Sequence, residues 1–392
     1  MTEVSPPTAR TAPPPRAARA ATWTVFALNG FAVGMWVVHI PVVEHATRIS
    51  HSTLGALLLV LGGAAFAGMQ ICGPLTDRFG NHRIVPAAGV LLGVAITLPG
   101  LAVNWWTLGL ALIAFGFFNG SLDVAMNAQA VVVERAYPRP IMAAFHAMWS
   151  IGGALAAAVG AAVLGAGVPT ALSLGGTGLL CVLIIAIAGR FLLSSTESSA
   201  EQGTVDTGTR RPPMRIVWLL GILALALMLS EGVANDWAAL HLRDVLGTSE
   251  STAALAYGSF AVAMTAGRFA TDRVAGFAGP VAVVRYGSAL AALGVAIVSL
   301  SPWVPLALAG WALFGLGLSG GVPQLFTAAG NLDTRASGAL MARVVGLGYV
   351  GLLAGPAIIG GLTRWMPLNV TFAVPFGLCA LAVVFAPAIR PR

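Results

Sequence analysis

Apolar runs long enough to cross a bilayer follow one another along almost the whole chain, and the polar breaks between them are short. Hydrophobic residues make up 57% of the sequence and charged residues 9%, whereas soluble domains carry about a quarter charged residues. A helical span takes about 20 residues, so a chain of 392 has room for about twelve with short connections. Backbone polar groups in hydrocarbon must be satisfied within the protein, which leaves helices or a closed barrel. The alternating segments of a barrel are missing, and an all-α membrane protein is expected.

The spans are read at 22–43, 53–74, 84–103, 105–131, 141–164 and 169–192 for helices 1 to 6. Helices 7 to 12 are read at 215–240, 252–271, 281–300, 304–326, 339–361 and 368–388. The longest internal polar stretch, rich in Ser, Thr, Glu, Gln and Gly, separates the two sets. The expected organisation is a tail over 1–21, a six-helix bundle over 22–193, a linker over 194–214, a second bundle over 215–388 and a tail over 389–392. The first 21 residues are expected to be disordered. They are not expected to be a cleaved signal, because the first span is long and carries Asn29, Trp36 and His39.

The formal charge of +7 comes from Arg alone, for there is no Lys. With the N-terminus placed in the cytoplasm, eighteen Arg fall on the inner side, Arg268, Arg273 and Arg343 among them. Three, Arg48, Arg243 and Arg364, fall outside. This asymmetry predicts a multi-pass protein of the cytoplasmic (inner) membrane with both termini inside. It is charge for a membrane, not for nucleic acid. Cys72, Cys181 and Cys379 lie in separate apolar runs and read as small core residues rather than a disulfide.

An Asp-Arg pair follows helix 2 and returns after helix 8. The first copy is Gly73-Pro74-Leu75-Thr76-Asp77-Arg78-Phe79-Gly80-Asn81-His82-Arg83, and the second is Gly267-Arg268-Phe269-Ala270-Thr271-Asp272-Arg273-Val274-Ala275-Gly276. The Asp residues are 195 apart. An offset of 199 aligns Met142 with Met341, Gly152 with Gly351, Phe115 with Phe314 and Gly116 with Gly315; an offset of 202 aligns Asn29 with Glu231 and His39 with His241. Two halves built on one plan suit a carrier that rocks around a central site.

The first copy resembles the helix 2–3 signature of the major facilitator superfamily, with Gly73, Leu75, Asp77, Arg78 and Gly80 in place. Asn81 and His82 replace the usual basic pair, and the second copy is looser. The resemblance covers about 22–388. It implies twelve transmembrane helices in two pseudo-symmetric six-helix bundles, with a cavity lined by helices 1, 4, 7 and 10. It also implies an inner gate in which Asp77 pairs with Arg135 at the end of helix 4 and caps helix 11. Asp77, Arg78, Arg135, Asp272, Arg273 and Arg343 are the gating candidates.

Asn119, Asp123 and Asn127 recur every four residues on helix 4 and share one face. Asp123 lies roughly 16 Å from the inner end of that helix. An ionised carboxylate there costs about 3 kcal/mol or more, so it faces a cavity or a partner; a packing stripe is the alternative. Proton uptake and release through Asp123 is the expectation. The run Phe118-Asn119-Gly120-Ser121-Leu122-Asp123-Val124-Ala125-Met126-Asn127 resembles the fucose-permease-like branch of sugar–proton symporters. Glu231, with Asn235 one turn on, is the second intramembrane acid and is expected across the axis from Asn29. His146 and Trp149 share a face of helix 5, where a proton relay and a packing role are both open. Helix 10 holds Gly315, Gly317, Gly320, Gly321 and Pro323, which predict a bend, then Gln324 as a ligand candidate. Trp36, Trp149, Trp237 and Trp311 are candidate aromatic faces. His39 and His241 are expected at the membrane interface.

These features predict secondary transport of a small polar solute, a sugar, polyol or related metabolite, by alternating access with proton coupling. Proton-driven efflux, uncoupled diffusion and a non-transporting sensor stand as alternatives. No nucleophile–base pair, metal motif or nucleotide loop is present, so no enzyme activity, cofactor or metal is expected. A small molecule, protons and lipid are the expected partners of a monomer.

Overall fold

The structure, a computed structural model, describes residues 15–194, 213–333 and 336–390. The expected linker lies almost wholly outside these residues, as do 1–14 and 391–392 of the expected tails. The first half comprises α1 (Arg16–Thr47), α2 (His51–Phe79), α3 (Asn81–Ala95), α4 (Trp105–Arg135), α5 (Met142–Gly165) and α6 (Thr170–Ala188). The second half comprises α7 (Met214–Asp244), α8 (Glu250–Ala278), α9 (Pro280–Leu300), α10 as α10a (Val304–Leu318) and α10b (Gly321–Asn331), α11 (Ser337–Leu362), and α12 as α12a (Leu368–Thr371) and α12b (Ala373–Phe385). No strand occurs among the described residues.

Local chemistry sets the ends of α2 and α8 alike in the two halves. Ser50 and Ser249 each accept the backbone N–H three residues on and open α2 and α8. Gly80 and Gly279 close those helices at φ 84° and 83°, a left-handed turn that a Cβ would oppose. Asn104 and Thr107 form a reciprocal capping box at the start of α4. The bend in helix 10 falls between Leu318 and Gly321, inside the predicted glycine cluster.

Packing repeats too. The pairs α1–α5, α2–α4 and α3–α6 have counterparts in α7–α11, α8–α10 and α9–α12. Without water to drive helices together, close approach of small residues supplies the contact. A Cβ on Gly116 would stand 2.3 Å from the Leu61 carbonyl oxygen, and one on Gly315 would stand 2.2 Å from that of Phe260. The halves meet chiefly along α2–α11, with α5–α8 a second seam. Eleven described spans are long and apolar enough to cross a membrane. The remaining one, α8, is long enough but carries Arg268 within its apolar stretch.

Three expectations are corrected. The second Asp-Arg pair is not a turn: α8 continues to Ala278, so Arg268, Asp272 and Arg273 are helical. His39 and His241 are fully buried rather than interfacial. His39 Nδ1 lies 2.7 Å from the Met35 carbonyl oxygen, and the His241 ring packs edge-on to Trp311 and Phe372. Trp36 and Trp311 sit in the cores of their own halves, against Phe115 and Phe314 respectively. The three cysteines are buried and free.

Candidate functional site

Midway along the first half, α1, α4 and α5 converge on a hydrogen-bonded trio. Asn29 Nδ2 donates to Asn119 Oδ1 at 2.9 Å, and Trp149 Nε1 donates to Asn29 Oδ1 at 2.8 Å. Asn29 thus engages its own half, not Glu231 across the axis. One turn beyond Asn119, Asp123 is buried. Asn127 Nδ2 donates to the Asp123 carbonyl at 2.8 Å and reaches its Oδ1 at 3.4 Å. The side chain of Tyr349, from α11 in the other half, lies near the same carboxyl. Asp123 Oδ2 has no partner.

The second half answers with an ion pair. Arg268 on α8 holds one guanidinium nitrogen 3.6 Å from Glu231 Oε1 on α7, and their side chains are 11% and 22% exposed. Another nitrogen of Arg268 donates to Ser150 Oγ on α5, across the α5–α8 seam. Arg268 lies ten residues from the end of its helix, or roughly 15 Å at 1.5 Å per residue. It therefore belongs to this mid-span group and not with the turn arginines. His146, one turn before Ser150, packs against Phe26 of its own half and Phe326 of α10b, at 5.4 and 5.8 Å between ring centroids. Asn235 is exposed, and Gln324 is buried elsewhere, beside Glu134 and Thr327 at the far end of the bundle.

At that end, the face carrying the α2–α3 turn, the halves are tied by crossed helix caps. Asp77 accepts from the backbone N–H groups of Gly338 and Ala339 at 2.6 and 2.8 Å, the first turn of α11. Asp272 accepts from Ala143 and Ala144 at 3.0 and 2.8 Å, the first turn of α5. A carboxylate at a helix N-terminus meets free N–H donors and the positive end of the dipole. Glu134 completes the α5 cap through Ile141 and Met142, both at 2.9 Å, and accepts from Thr327 Oγ1 at 2.7 Å across the seam. Arg135 donates to Asn331 Oδ1 at 2.7 Å and to the Gly330 carbonyl at 2.5 Å, both in the other half. Gln70 reaches the Ala342 carbonyl at 2.8 Å. Arg78 lies over its neighbour Phe79, Arg343 reaches Met214 Sδ, and Arg273 is exposed.

Sequence reasoning missed Tyr349 and the membrane-buried position of Arg268, and it put Ser150 on the helix 5 face of His146 and Trp149 without a role. For Arg268 the signal was available: Val274, Ala275 and Phe277 continue an apolar helix past the Asp-Arg pair. Nothing in the sequence marks Tyr349 apart from a phenol in a glycine-rich span.

Comparison with known proteins gives one consistent result. The sequence model described as Major Facilitator Superfamily matches residues 22–329. An uncharacterised transporter of Sinorhizobium fredii is 34% identical over 375 residues, covering 93% of this chain and 96% of its own. An uncharacterised MFS-type transporter of Yersinia pestis is 33% identical over 351 residues, 90% of each. Among solved structures, the MFS transporter FucP in its outward conformation superposes with a TM-score of 0.79 at 14% identity, covering 95% of this chain and 98% of that one. A variant of the same protein, the fucose:proton symporter of E. coli, gives 0.78 at 15% identity, with the same coverage. At that identity the likeness is one of fold.

Proposed function

The chain belongs to the Major Facilitator Superfamily of transporters, and from that premise we propose that it carries a small polar solute across the cytoplasmic membrane by alternating access, coupled to protons. The observation that carries this proposal is the pair of acids at mid-span, each facing a partner whose contacts reach across the two halves. Asp123 meets Tyr349, and Glu231 meets Arg268, which also holds Ser150. Intramembrane acids are costly and sit at ion or substrate pathways by default. The polar groups nearby, Asn29, Asn119 and Trp149, suit hydroxyl-bearing solutes such as sugars and polyols: amides for hydroxyls and an indole face for C–H surfaces. Proton coupling falls to Asp123, which has one oxygen free of any partner.

The crossed caps of Asp77 and Asp272 act in this proposal as the inner gate, with Arg135 and Glu134 reinforcing it. The arginine asymmetry puts that face in the cytoplasm, so the gate is shut when the transporter faces outward. Alternating access then requires both caps to break together and re-form in each cycle.

The test uses purified protein in sealed liposomes under an imposed pH gradient, with sugars, polyols, carboxylates and cationic dyes offered in turn. Internal pH is recorded for each. Substrate-dependent proton flux for a sugar or polyol, lost in Asp123→Asn, is the expected result. Equilibration of a solute with no proton movement would refute coupling, and flux only with dyes would refute the solute class.

A further inference from the structure

A cavity of about 960 Å³ opens on the face of the crossed caps, between the end of α4, the α4–α5 loop and the ends of α7, α9, α10b and the chain's last described turn. Glu134, on its wall, lies eleven residues along α4 from Asp123, or roughly 16 Å, so this cavity is separate from the mid-span site. Its lining has an uneven hydrogen-bonding character. The Gln324 side chain is 3% exposed and its amide nitrogen has no partner. The Tyr137 hydroxyl is likewise buried and without a partner. Arg139, Arg215 and Arg390 stand around it. Arg215 and Arg390 have no ion-pair partner among the described residues. The one carboxylate among the described residues of the wall, Glu134, is already engaged by Ile141, Met142 and Thr327. What remains is two buried donors without an acceptor, on Gln324 and Tyr137, and three exposed guanidinium groups at the rim.

Buried donors left without acceptors are costly, and a pocket rich in them suits a ligand rich in acceptors. Guanidinium forks match the oxygens of a phosphate two at a time. Five donor-bearing side chains exceed what the two oxygens of a carboxylate use well, and fit a tetrahedral oxyanion. We propose that this cavity binds a phosphate group, carried by an anionic phospholipid headgroup or by a soluble phosphate. Tyr137 and Arg139 belong to the first half and Gln324, Arg215 and Arg390 to the second, so the bound group joins the two halves on this face.

The experiment follows thermal unfolding of the full-length protein in nanodiscs. One arm compares discs of phosphatidylcholine with discs also containing phosphatidylglycerol. The other titrates inorganic phosphate into phosphatidylcholine discs, with sodium chloride at matched ionic strength as control. A saturable rise in unfolding temperature in either arm is expected, and the arm that responds names the source. In Arg215→Gln/Arg390→Gln the midpoint should move to about tenfold higher concentration. Arg48→Gln/Arg364→Gln, at the opposite ends of the helices, should respond as wild type. Gln324→Leu keeps the rim charge and tests the buried donor directly: its response should weaken too. No rise in either arm overturns the proposal, as does an undiminished response in both the arginine and glutamine variants.

Discussion

Asp77 and Asp272 each cap a helix of the half to which they do not belong, and they do so in one shared register. Asp272 follows Asp77 by 195 residues, as the capped Gly338 follows the capped Ala143 and Ala339 follows Ala144. The packing repeat runs instead at 199: Gly279 follows Gly80, Gly315 follows Gly116, and Phe260 follows Leu61. The difference of four residues is about one helical turn. The carboxylate and the helix end it caps have moved by that turn together, which keeps the contact while the surrounding packing holds its own period.

Asp77→Ala removes one of the two caps. Loss of an N-cap costs about 1 kcal/mol, or roughly a fivefold change in the ratio of closed to open states. Spin-label distances between the halves on this face should lengthen, and further in Asp77→Ala/Asp272→Ala. A distance distribution identical to wild type would refute the gate.

Asp123→Asn keeps the size of the side chain and its contact with Asn127 but cannot release a proton. Accumulation driven by a pH gradient should disappear, while exchange of labelled for unlabelled solute across the liposome membrane continues. Accumulation at the wild-type level would reduce Asp123 to a packing residue.

Glu231→Gln leaves the Arg268 guanidinium without its anion in a largely buried place. Breaking such a pair from one side costs about 3 kcal/mol or more. The double variant Glu231→Gln/Arg268→Gln should unfold at a temperature closer to wild type than Glu231→Gln does. Additive losses in the two single variants, measured by thermal unfolding in detergent, would mean the residues are not coupled.

Gly152 and Gly153 are adjacent yet should respond oppositely to alanine. A Cβ on Gly152 would stand 1.9 Å from the Ala27 carbonyl oxygen, whereas on Gly153 the nearest atom, the Gly30 carbonyl oxygen, is 3.8 Å away. Gly152→Ala should cost about 1–3 kcal/mol by forcing α1 and α5 apart. Gly153→Ala should be neutral or stabilise by up to about 1 kcal/mol through helix propensity. Folded yield and unfolding temperature distinguish the two.

The number and order of the spans were legible because burial in lipid leaves the backbone few choices. The bend in helix 10 was legible in its glycines, and the repeat in Gly116 and Gly315. Positions decided by tertiary contact were not. Helix 8 was read to end at 271, so Arg268 was placed at the inner end of its span, although α8 runs on to Ala278 and Glu231 and Ser150 hold Arg268 within the bundle. Gln324 lies on the predicted helix, but the direction it faces is set by the break at Gly320, which the sequence does not resolve into an angle. His39 and His241 read as interfacial because imidazole is polar, yet His39 Nδ1 pairs with Met35 on its own helix and His241 lies among aromatic rings.

Crossed capping also constrains how such a chain can change over generations. Neither bundle owns both sides of an aspartate cap on this face, so a bundle borrowed from a relative must bring two matching registers at once, one in its acid and one in its receiving helix. A slip of one turn in α8 alone would strand a carboxylate and leave the amides of Ala143 and Ala144 without their acceptor. The shared displacement of Asp272 and α5 is the pattern that paired change leaves behind, and it makes the two bundles heritable as a set.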